Sequence, residues 1–172
     1  EGGWYTLGAN YGGTPTPSPT TTVVPSGGTV GVSLATDNPV GIIIPESSVY
    51  HSMLKLALVG GPATVSGITL TKYGLLPNSE VSGVSVWDKN GKRHGTVVSS
   101  ISADNKVTIG FGSDPITLAS GGTETITVKA NIGDTAANAG TLYFGVAAAA
   151  DLTSNGTVSG AFGCHRHLHI RV

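Results

Sequence analysis

An all-β sandwich is the fold class this sequence predicts, and three observations predict it. Residues 121–132, GGTETITVKANI, open on a Gly-Gly turn and then alternate, with Ile126, Val128 and Ala130 on one side and Thr125, Thr127 and Lys129 on the other. Strand side chains point alternately to opposite faces, so this stretch is a strand with one dry and one wet face. Its dry face needs a second layer to cover it. The composition agrees, because 26 of the 172 residues are glycine and only 11% are charged, too few to coat helix exteriors. Short alternating apolar runs also recur between Pro, Asn and Gly-Gly punctuation, as they do in sandwiches.

Taken in order, residues 1–11 (EGGWYTLGANY) form a short apolar and aromatic segment that carries Trp4, Tyr5, Leu7 and Tyr11. Residues 12–27 follow as a Pro/Thr-rich linker in which Pro15, Pro17 and Pro19 remove backbone donors and favour an extended, semi-rigid chain. Such a run suits O-glycosylation, with Thr16 and Thr20 as acceptors. The sandwich is expected over residues 28–163. Its strand candidates are residues 29–34, 40–44, 51–59 (with Leu54, Leu56 and Leu58 on the dry face), 64–71, 81–87, 93–99, 106–111, 116–118, the alternating strand 121–132, 141–148 and 156–162, about ten in all. Within 141–148, Leu142, Phe144, Val146 and Ala148 are expected to face inward. Asn90-Gly91 marks a hairpin between residues 81–87 and 93–99. Residues 164–172, CHRHLHIRV, read as a strand-like tail.

Four stretches carry a resemblance: VSGITLTKYG (65–74), VSGVSVWD (81–88), ITLASGGTETITVKANI (116–132) and LYFGVAAAADLT (142–153). Together they resemble an immunoglobulin-like β-sandwich module of microbial cell-surface and extracellular filament proteins, over residues 28–163. The resemblance implies an exported structural or adhesive protein located at the cell surface, and it carries no catalytic residues. Residues 1–11 and 164–172 lie outside it. A stiffly tethered apolar segment ahead of a sandwich is the layout of subunits that polymerise by lending a strand to a neighbour. The inserted strand satisfies exposed backbone and apolar surface at once, and a contact that does not close on itself grows into a filament.

The charge pattern offers little else. The net charge is −1 and no basic patch is concentrated, which excludes nucleic acid as a partner class. No apolar run approaches the roughly 20 residues that span a bilayer, so no membrane span is expected. His165, His167 and His169 share one face if the tail is a strand, at separations of roughly 7 Å. With Cys164 or a histidine of another copy they form a candidate Zn or Cu site, although three ligands so spaced do not close around one ion unaided. The competing reading is a polar face at a subunit contact. Cys164-His165 also has the end of a C-x-x-C-H haem motif without its first cysteine, so haem is not expected.

No G-x-S-x-G, H-E-x-x-H or P-loop pattern is present, and the carboxylates adjoin turn residues, so no enzyme is expected. Asp88-Lys89-Asn90-Gly91 opens like a calcium loop but lacks the later bidentate Glu, which favours a hairpin turn. Asn155-Gly156-Thr157 is an N-glycosylation sequon. Trp87 reads either as a platform for a sugar or as a residue closing one end of the core. The expected function is a structural subunit of an extracellular, pilus-like homopolymer joined by Trp4, Tyr5, Leu7 and Tyr11. The alternatives are a carbohydrate- or protein-binding adhesion module and a metal- or haem-binding surface protein.

Overall fold

The computed structural model describes residues 27–41, 43–134, 140–163 and 169–170, the last pair by backbone only. The described elements are almost all strands: β1 (Thr29–Leu34), β2 (His51–Gly61), β3 (Ala63–Tyr73), β4 (Val81–Trp87), β5 (Arg93–Val98), β6 (Lys106–Gly110), β7 (Ile116–Leu118), β8 (Gly122–Ile132), β9 (Gly140–Thr141), β10 (Tyr143–Gly145), β11 (Leu152–Ser154), β12 (Thr157–Gly160) and β13 (His169–Ile170). Single 3₁₀ turns at Asn78–Glu80 and Ala149–Asp151 precede β4 and β11. Among the described residues no helix is long and apolar enough to cross a membrane.

Six strands form one sheet in the order β12-β1-β2-β8-β4-β5, antiparallel throughout except that β1 and β12 run parallel. The second sheet is built on β3, with β6 and β7 along one edge and β10 and β11 along the other. The two sheets face each other across a single apolar core. Strand β8 lies in the middle of the larger sheet, where its dry face meets both neighbours: Val128 stands between Leu54 of β2 and Val86 of β4, all three nearly inaccessible. Phe111 and Phe144 are the bulkiest side chains fully enclosed.

Two irregularities adjust the pattern. Between Ser52 and Leu54 the pairing with β8 skips Met53, so Met53 and Leu54 are buried in succession. On β3 the pairing with β11 skips Ser66, and the buried positions change from Ala63 and Val65 to Ile68 and Leu70.

Two expectations need correction. The described residues of 40–44 form no strand: Pro39 and Pro45 bracket the segment, and none of Val40, Gly41, Ile43 and Ile44 makes a backbone hydrogen bond within the described structure. Ile44 drops into the core at 0% exposure while Val40 and Ile43 are 58% and 69% exposed. Ala148 is exposed, because the chain leaves the strand path after Val146 to enter the 3₁₀ turn at Ala149–Asp151, where the Ala148 N–H donates to the Asp151 carboxylate at 2.9 Å.

Candidate functional site

The wet face of β8 is the floor of the candidate site. Its register with its neighbours sets Lys55 opposite Thr127 and Thr127 opposite Trp87, a row running across β2, β8 and β4. The next row sets Ser52 opposite Lys129 and Lys129 opposite Ser85. Val84 and Val86 point into the core, so strand parity sends Trp87 outward, and it is half-buried on the outer face. Its role as a plug at the end of the core is therefore corrected. The walls are Asp37 from the β1–β2 connection and the hairpin residues Asp88, Lys89 and Gly91, enclosing a cleft of about 420 Å³.

The Trp87 indole is held on several sides. Its Nε1–H donates to the Ser85 hydroxyl at 2.9 Å. The Tyr50 ring meets it edge-on, with centroids 5.5 Å apart and planes at 79°. The Lys129 ammonium lies 4.5 Å from the ring centroid, within cation–π range.

Two other cleft lysines are paired. Lys55 meets Asp37 at 2.5 Å, and this hydrogen bond is the main reason that the Asp37 carboxyl lies below its usual range. Lys89 meets Glu124 at 3.0 Å. Among the described residues Lys129 is the cleft lysine without a carboxylate partner.

Asp88 organises the hairpin. Its Oδ1 accepts the Asn90 and Lys92 N–H groups at 2.9 and 2.8 Å, and Gly91 adopts φ +78° as the turn requires. Burial raises the Asp88 carboxyl, but these backbone donors and His94 outweigh it and the group lies below its ordinary value. A turn anchor, as the sequence favours, accounts for this geometry. His94 is buried behind the hairpin, with Nδ1 2.7 Å from the Asp114 carbonyl oxygen and Nε2 3.6 Å from Asp88 Oδ2.

The remaining sequence candidates fall elsewhere. Trp4, Tyr5, Leu7, Tyr11, Thr16, Thr20, Cys164, His165 and His167 lie outside the described residues. The backbone of His169 pairs with Thr141 of the same chain, so β13 lies antiparallel to β9. Among the described residues no three His, Cys, Asp or Glu side chains are grouped to hold a metal. Asn155 is exposed in the β11–β12 turn, its Oδ1 accepting the Thr64 N–H at 2.7 Å. Sequence reasoning singled out Trp87 but missed its companions Tyr50, Lys55 and Lys129. Parity places Lys129 on the wet face, yet only the register brings it to Trp87. The chain matches no protein-family model and no curated protein.

Proposed function

We propose that this chain is a non-enzymatic structural subunit of an extracellular, pilus-like homopolymer, in which residues 1–11 of one copy pair with the sandwich of the next. The observation that supports this reading is the edge strand β12, which has β1 on one side and no strand on the other among the described residues. An unpaired edge is a ready template for another strand. The apolar and aromatic side chains Trp4, Tyr5, Leu7 and Tyr11 fit the role of the added strand, and the proline-rich linker makes folding back onto the same copy harder. The resemblance to microbial surface modules supports the extracellular location. Deleting residues 1–13 tests the reading by electron microscopy of the purified chain: soluble monomer is expected, and filaments of normal length from the truncated protein would sink it.

A second reading, an adhesion module that binds carbohydrate at the cell surface, draws support from the cleft over Trp87. It expects a stable monomer in size-exclusion chromatography that binds its ligand without polymerising.

A further inference from the structure

We propose that the cleft over Trp87 binds an acidic sugar, a hexuronate unit within a polysaccharide, with the sugar ring against the indole and its carboxylate on Lys129. This rests on the adhesion reading and names its ligand class. The first support is the fixed platform: the indole is anchored by Ser85 through Nε1 and braced by Tyr50, so little ordering is left to pay for on binding. Apolar C–H groups of a pyranose ring pack well on such a face, while the hydroxyls need polar partners around it. Ser52, Thr125, Thr127 and the Asp37 and Asp88 carboxylates line the same cleft and supply them.

Charge decides between neutral and acidic sugars. Lys55 and Lys89 are already matched by Asp37 and Glu124, but the Lys129 ammonium, over the indole ring, meets no carboxylate among the described residues. A neutral sugar leaves that cation unmatched. A carboxylate on the ring edge completes it with a charge-assisted hydrogen bond. A dianionic phosphate fits less well, because Asp37 and Asp88 line the same cleft and, among the described residues, Lys129 is its one lysine without a carboxylate partner. The Asp37 carboxyl, held below its usual range mainly by its hydrogen bond from Lys55, also disfavours a second negative group in the cleft.

Isothermal titration of the full chain with galacturonate oligosaccharides tests this, with neutral gluco-oligosaccharides and a sulfated dextran as comparison ligands. Galacturonate binding is expected, weakened at least tenfold by Lys129→Gln and by Trp87→Ala, retained by Lys129→Arg, and unchanged by Lys106→Gln on the other sheet. Thermal melting of each variant separates loss of binding from loss of fold. Equal binding of neutral sugars with no effect of Lys129→Gln would overturn the acidic class but leave the adhesion reading standing. Binding of sulfated dextran that ignores Trp87→Ala would reduce the site to simple charge attraction and overturn the sugar contact. No binding by any ligand would overturn both, without touching the homopolymer reading.

Discussion

Asn155 turns its side-chain oxygen back onto β3, where it accepts the Thr64 N–H at 2.7 Å, while its own N–H donates to the Thr64 carbonyl at 3.1 Å. The sequon asparagine is thus also the clasp between the β11–β12 turn and the start of β3. Removing the acceptor leaves a backbone donor unsatisfied, so Asn155→Ala should cost about 1 kcal/mol and lower the melting temperature by roughly 2–4 °C. Asn155→Asp keeps the acceptor and should stay near the parent. Thr157→Ala destroys the sequon but leaves the clasp intact. If it melted as low as Asn155→Ala in protein made without glycosylation, the clasp would not be the cause.

Asp88 gives the hairpin an acid-sensitive anchor. Its folded value lies below the ordinary 3.8, so the unfolded chain takes up the proton first as pH falls. The stability it contributes is therefore fully present above about pH 4 and is lost as pH drops through the lower folded value. Urea midpoints measured from pH 6 to pH 2.5 should fall less steeply for Asp88→Asn than for the parent. Parallel slopes would mean that the two backbone donors do not favour the ionised form.

Ile43 and Ile44 are neighbours with opposite fates, 69% and 0% exposed. Truncating Ile44 opens a cavity in the core, and Ile44→Ala should cost about 2–4 kcal/mol in urea denaturation. Ile43→Ala removes an exposed side chain and should stay within about 0.5 kcal/mol. Equal losses at both positions would mean that the segment packs differently from the described one.

These residues also show how far the sequence reaches. Alternation made β8 and its dry face legible, because Ile126, Val128 and Ala130 obey a period that only a strand satisfies. The same apolar density misled at residues 40–44, where flanking prolines interrupt the ladder and one isoleucine plugs the core without any pairing. Trp87 was recognisable as a candidate, and Val84 and Val86 already imply its outward direction. The cleft itself was not legible, since Lys55, Trp87 and Lys129 come from three strands whose mutual register no local pattern encodes. Met53 sharpens the point: one skipped residue in β2 changes which side chains face the wet side beyond it, so that Ser52 and Lys55 both line the cleft.

The parallel pair of β1 and β12 closes the larger sheet, and Gly160 is where it closes most tightly. Gly160 sits opposite Val32 at φ +145°, and a Cβ there would lie 2.0 Å from the Val32 carbonyl oxygen. Only glycine combines that backbone with that approach. Gly160→Ala should therefore push β12 off β1, costing about 1–3 kcal/mol. It should also speed hydrogen exchange along both strands, while the buried strand β8 keeps its protection. The variant also distinguishes two routes of assembly. In the proposed homopolymer, where the chain's own β12 already fills the place beside β1, a neighbour's strand would add to the outer edge of β12 rather than replace it. Loosening β12 then removes the template, and Gly160→Ala should polymerise more slowly than the parent in a light-scattering assay. Faster polymerisation would mean that the incoming strand displaces β12 and takes its place against Val30 and Val32.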